Sequence, residues 1–235
     1  HVPEIKQFAL NVKRLLRPDG VLVLEVQYLP AMLATAQFDN IYFEHLFYWS
    51  LNSLQRVLNY AGLHVFDAER VDTHGGSLRV YAHQSKATQG FHPGLDQIRR
   101  EEKGMGLHRI EPYQAFAKRV ENVKDELPRL LTELRLQGKT IFAYGASAKS
   151  TTLLNFCELG PETVELIIDD APLKIGRFAP GSHIPIVGRE ILDTRVPDIL
   201  LLTAWNFEAQ IRQKTAPYAE RGMKYMLPIP SPQIV

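Results

Sequence analysis

Tyr42, Glu44 and His45 place a phenol, a carboxylate and an imidazole within four residues, inside the aromatic-rich run from Asp39 to Leu51. On a helical turn Tyr42 and His45 share a face, and on an extended segment Tyr42 and Glu44 do, so at least one pair can converge. An imidazole suits proton transfer at neutral pH, and a phenol and a carboxylate can steady what it acts on. The alternative is a packed aromatic segment with a satisfied histidine. Three reactive side-chain types in succession weigh against it.

A second group lies in Tyr144-Gly145-Ala146-Ser147-Ala148-Lys149-Ser150-Thr151-Thr152. Its small residues let the backbone approach a phosphate, and free N–H groups at a helix start favour an anion. Gly145, Ser147, Lys149 and Ser150 are the candidate contacts. The loop is not a Walker A loop, because Ala143 and Ala148 stand where that motif needs glycines. It matches the dinucleotide fingerprint only at Gly145, with Ser147 and Ser150 in place of the other two glycines. Asp169, 24 positions after Gly145, stands where an acid would meet a ribose hydroxyl, or else serves a turn. Lys174 and His183 fall in a connection rich in turn formers, residues 170–186, of the kind that carries binding roles. Trp205-Asn206 would lie at the same edge and either stack on a base or cap a helix. A third group, Thr73-His74-Gly75-Gly76-Ser77-Leu78-Arg79, joins two strand-like runs. There His74 and Arg79 are candidate ligand contacts, and Arg79 would pair with either a phosphate or an internal carboxylate.

The elements that must position these groups are those of an α/β protein. The chain has 235 residues, 45% of them hydrophobic, enough for one large or two modest domains. Helical periodicity over residues 5–16 leads through Pro18 and Gly20 into a strand at 21–26. A helix is expected at 51–61, and an antiparallel strand pair at 63–71 and 78–84. A boundary follows near 85–94, then a long helix at 112–136 that Pro128 should kink. Beyond it, short apolar runs at 140–144, 164–168, 199–203 and 225–227 alternate with helical stretches at 150–159, 188–192 and 207–218. That alternation predicts a parallel sheet covered on both faces.

Charge and composition exclude several classes. Lysine and arginine number 27 against 26 acids, a net charge of +1, so no general field attracts nucleic acid or an acidic membrane. One cysteine, Cys157, leaves no disulfide framework or cysteine-cluster zinc site in this stretch and fits a reducing cytoplasm. No apolar run has the length of a membrane span.

The three motifs, in this order, resemble the sugar C-methyltransferase family, which acts on nucleotide-linked 4-keto deoxysugars, and the resemblance covers nearly the whole chain. Family members are similar to a three-part chain: a small zinc domain, a methyltransferase domain that binds S-adenosylmethionine, and a doubly wound domain that helps bind the sugar nucleotide. The resemblance implies the C-terminal half of a class I methyltransferase (Rossmann-like) domain in residues 1–85, a linker with a helix in 86–111, and a Rossmann-like domain in 112–235. It places the glycine-rich donor loop and the zinc cysteines before His1. It also gives His45 the removal of the proton beside the sugar ketone. Tyr42 would donate to the enolate oxygen and Glu44 would orient the sugar or the imidazole, with these two roles open to exchange. A non-catalytic nucleotide-binding module and an NAD-linked oxidoreductase are the competing readings, the latter disfavoured by the missing glycines.

Overall fold

The computed structural model describes residues 1–85 and 93–235, so the start of the expected linker, residues 86–92, lies outside the described residues. The chain divides into two compact units, one formed by His1–Ala34 and Phe43–Ala115, the other by Thr35–Tyr42 and Phe116–Val235.

The first unit begins with helix α1 (Ile5–Leu15) and strand β1 (Leu22–Gln27), followed by the short α2 (Leu29–Ala34). Helix α3 (Leu51–Tyr60) leads into β2 (His64–Val71) and β3 (Ser77–His83), and α4 (Pro93–Met105) follows. The three strands form an antiparallel sheet in the order β1-β3-β2, with Leu24 opposite Val80 and Ala68 opposite the same residue. Alternation along β3 sends Leu78, Val80 and Ala82 into a core shared with Leu51, Leu54, Leu58 and Leu63. Helix α4, expected as part of a linker, buries Leu95, Ile98 and Glu102.

Helix α5 (Glu111–Leu136) is the longest, and its helical conformation continues through Pro128. From Phe116 onward it belongs to the second unit, where Val120, Val123, Leu127 and Leu131 line its buried stripe. Next come β4 (Ile141–Tyr144), α6 (Ala148–Phe156), β5 (Ile167–Ile168), β6 (Ile186–Val187) and α7 (Ile191–Thr194). The unit closes with β7 (Ile199–Leu202), α8 (Glu208–Ala219), β8 (Lys224–Leu227) and β9 (Gln233–Ile234). The sheet order is β6-β5-β4-β7-β8-β9, parallel except for β9. Ile141, Ala143, Ile199 and Leu201 enter one core, while Phe142, Tyr144, Leu200 and Leu202 enter another. The same strands therefore bury both faces, which is why they read as continuous apolar runs. The strand order reverses direction between β4 and β7, and in open parallel sheets ligands bind beyond the carboxyl ends of such a pair.

Candidate functional site

Two places gather the chemistry, one in each unit. In the second, the chain leaves β4 through Tyr144-Gly145-Ala146 and leaves β7 through Thr203-Ala204-Trp205, the two sides of the switch point. Gly145 has φ +103, and a Cβ there would lie 2.4 Å from the Cβ of Ala204, so glycine is needed for the two exits to meet. Thr203 Oγ1 donates to the carbonyls of Tyr144 and Gly145, at 2.8 Å each. Ser147 caps α6 by accepting the Ser150 N–H at 3.2 Å. Ser150 itself is 1% exposed, so its part here is that backbone contact.

Asp169 is bound from several sides. Its Oδ2 accepts the Ala146 N–H at 2.7 Å and Lys174 Nζ at 3.0 Å, and its Oδ1 accepts the Ala171 N–H at 2.8 Å. The carboxylate that sequence spacing offers to a ribose thus also pins the loop. Asp170 accepts Lys214 Nζ at 2.6 Å and the Tyr144 hydroxyl at 2.9 Å. Burial pulls its pKa upward, but these bonds outweigh burial and hold it below its ordinary value. The Tyr144 phenol is raised by burial and then by Asp170. Lys149, on the first turn of α6, rests 5.0 Å from the centre of the Trp205 ring. Its pKa is lowered by burial and partly restored by Asp39. Asp39 is wholly buried, and its Oδ2 accepts the Trp205 indole N–H at 2.6 Å.

In the first unit, Tyr28 and Trp49 form a parallel bridge, and the Leu29 N–H donates to the Trp49 carbonyl at 2.8 Å, which ties the segment after His45 to the end of β1. Ser50 then caps α3 by accepting the Ser53 N–H, and the buried carboxylate of Glu102 accepts the N–H groups of Leu51 and Asn52. His45, half-buried, lines an apolar cavity of about 380 Å³ together with Glu25, Gln27, Phe47 and Trp49. Its ring stacks on that of His1 with centroids 5.2 Å apart. Tyr42 to Glu44 form a bend and turn rather than a helix or strand, and Glu44 is exposed. Tyr42 is counted with the second unit, Glu44 and His45 with the first.

Arg79 crosses the outer face of the first sheet. It donates to Glu25 Oε2 at 2.9 and 3.1 Å and to Glu69 Oε1 at 3.1 Å. Of its two sequence-level options, internal carboxylates occupy it here. Glu25 is held below its ordinary pKa first by Thr73 and then by Arg79, with a smaller contribution from His74. His74 has φ +54 in the turn between β2 and β3.

Residues 72–230 match the family model described as C-methyltransferase C-terminal domain. All 235 residues align at 37% identity with the C-methyltransferase NovU of Streptomyces niveus, of which they cover 56%. The chain belongs to this C-methyltransferase family. It spans a little over half the length of that relative. Within the C-methyltransferase match lie His74, Arg79 and the loop at 144–152, whereas Tyr42, Glu44 and His45 precede it and fall in the longer alignment.

S-adenosylmethionine is the methyl source the C-methyltransferase family implies. The connection after β1 reads Tyr28-Leu29-Pro30, with no glycine to bring backbone against a nucleoside. These residues of the first unit do not form a complete donor site. Among the described residues, no three His, Cys, Asp or Glu side chains converge to hold a metal ion. None of the described helices is long and apolar enough to cross a membrane.

Sequence reasoning singled out Tyr42, Glu44, His45 and the loop, but not Asp39 or Glu25. The signal for Asp39 was available: a carboxylate in a run of Phe38, Ile41, Tyr42 and Phe43 has to be paid for by a partner. Glu25 carried no such signal, because an acid in an alternating strand reads as its solvent face.

Proposed function

We propose that this chain is part of a C-methyltransferase that uses S-adenosylmethionine to methylate the carbon beside the ketone of a nucleotide-linked keto sugar. His45 is the base that removes the proton from that carbon. A C–H next to a ketone yields to a side-chain base once the enolate is stabilised, and an imidazole titrates in the right range. Tyr42 donates to the developing enolate oxygen and Glu44 orients the sugar or the imidazole. His74 and Arg79 contact the ligand, and Arg79 also holds Glu25, a residue that lines the cavity beside His45.

The second unit holds the nucleotide. Lys149 and the Ser147 hydroxyl meet the diphosphate at the start of α6, on a backbone shaped by Gly145, with the Ser150 N–H closing the cap. Asp169 and Lys174 hold the loop and border the ribose. The observation that carries this reading is the loop at the β4–β7 switch point, where a lysine on a helix start faces an indole in a chain of the C-methyltransferase family.

The test is deuterium exchange into the keto sugar by the intact enzyme in heavy water, without methyl donor. The native enzyme should wash deuterium into the carbon beside the ketone, and His45→Ala should lower that rate by about 10²-fold or more. Undiminished exchange and turnover in His45→Ala would remove the base from the proposal. Binding of the sugar nucleotide with no exchange in the native enzyme would instead favour a non-catalytic binding module.

A further inference from the structure

The proposed chemistry leaves Asp39 without a task, yet its placement is unusual. Its side chain is 0% exposed within the second unit. A carboxylate is kept in such a place only where partners offset its desolvation. One oxygen accepts the Trp205 indole N–H at 2.6 Å, across 166 residues of sequence, and Oδ1 has no hydrogen-bond partner among the described residues. Burial raises the pKa of Asp39, and the indole N–H, the Lys149 ammonium and the backbone N–H groups of Asp39 and Asn40 offset that only in part. Trp205 is therefore gripped at its edge by Asp39 and covered on its face by the Lys149 ammonium, 5.0 Å from the ring centre. Lys149 stands on the first turn of α6 and Trp205 just beyond β7, so the indole joins the two sides of the switch point. Phe38 anchors the segment by packing on Phe156, with ring centroids 4.9 Å apart, and Asn40 Nδ2 donates to Gln37 Oε1 at 3.1 Å.

We infer that Asp39 is a positioning residue for the loop. By fixing the Trp205 indole it sets the platform on which the Lys149 ammonium rests, so that the cation is already in place for the ligand's diphosphate. The inference rests on the reading of this loop as the diphosphate site. A lysine held in advance loses less conformational freedom when the anion arrives, and releasing the indole returns that cost to the binding step.

Calorimetric binding of inorganic pyrophosphate to the 235-residue chain tests both levels, with the indole N–H resonances of Trp49 and Trp205 as a structural readout. Lys149→Ala should weaken binding by about 10-fold or more, as loss of a charge-assisted contact does. Asp39→Ala and Trp205→Phe should each weaken it by roughly 5- to 20-fold, and the double variant no further, because both changes break one connection. Asp39→Asn, whose amide oxygen still accepts the indole N–H, should stay within about 3-fold of native. The Trp205 resonance should shift in Asp39→Ala, stay near its native position in Asp39→Asn, and move when pyrophosphate binds. Weak binding in Lys149→Ala with native binding in Trp205→Phe and Asp39→Ala would overturn the positioning role and leave the loop reading standing. Should Asp39→Ala fail to fold, Trp205→Phe and Asp39→Asn decide: native binding in the first, or a loss as large as that of Lys149→Ala in the second, overturns it. If the native chain does not bind pyrophosphate, or Lys149→Ala binds it as well as native, the loop reading fails and takes this inference with it.

Discussion

Cys157 shows how burial alone sets reactivity. It packs among the core residues below α6, and burial pushes its thiol up to about 12. At pH 8 the thiolate fraction is then roughly a thousandfold below that of a free cysteine, so iodoacetamide should label the native chain very slowly and the denatured chain readily. The folded pKa lies above the unfolded value near 9, so the stabilising contribution of the neutral thiol is complete below about pH 9 and is lost as pH climbs toward 12. Rapid labelling of the folded protein at pH 8 would contradict this burial. At the same scale, Tyr42, Glu44 and His45 stand out in the sequence because three reactive side chains interrupt an aromatic run. Asp39, three positions earlier, carried a signal as a carboxylate in an apolar run, but which partner it needs was not legible, because Trp205 lies 166 residues away.

Among the elements, the exits of β4 and β7 come into close contact. Gly138 and Gly145 both have positive φ, but a Cβ at Gly138 meets nothing within 4 Å, whereas at Gly145 it strikes Ala204. Gly138→Ala should cost about 1 kcal/mol, from backbone strain alone. Gly145→Ala should cost more, about 2–4 kcal/mol, because steric overlap is added to strain. Thermal melts of the two variants compare them directly, and equal losses would mean that the contact with Ala204 is not close. At the other ends of the same strands, Asp198 accepts the Thr140 N–H and Lys139 Nζ, each at 2.9 Å. The Thr140 N–H first, then Lys139, hold its carboxyl below the ordinary range. The folded value is depressed, so the stabilisation is present above the unfolded pKa of about 3.9 and is lost as pH falls through the folded value. Asp198→Asn should therefore lower stability at pH 7 by at most about 1 kcal/mol, since the pair is partly solvated, and the deficit should shrink as pH falls below the unfolded value. A deficit that stays constant from pH 7 to pH 2.5 in urea titrations would rule out this origin.

For the molecule as a whole, the decisive feature is that each unit has its own apolar core. Leu78 is fully buried in the first and Leu131 in the second. Alanine at either position should cost about 2–5 kcal/mol, and the two losses should add to within about 0.5 kcal/mol because the sites share no partners. Amide exchange should quicken mainly in the unit that carries each substitution. Strongly non-additive losses, or exchange that quickens equally in both units, would show one cooperative core instead of two. The interruption of the first unit's sequence by Thr35–Tyr42 is equally a whole-molecule property. Phe38 is buried with residues of α5 and α6, far along the chain, and nothing in its neighbours' periodicity announces that allegiance.

The sequence by itself determined the local elements and the chemistry available to them. Period-2 alternation and continuous apolar runs marked β1 to β4, β7 and β8, because which side of a strand is buried is written into adjacent residues. It marked β5 within the apolar run at 164–168 but not β6 and β9, two residues each, which are strands only because a neighbour pairs with them. Tertiary structure alone decided that Arg79 meets Glu25 and Glu69, that Asp169 ties down the loop, and that Asp39 reaches Trp205. Those contacts join residues distant in sequence, and burial, which makes them worthwhile, exists only once the sheet and its helices have assembled.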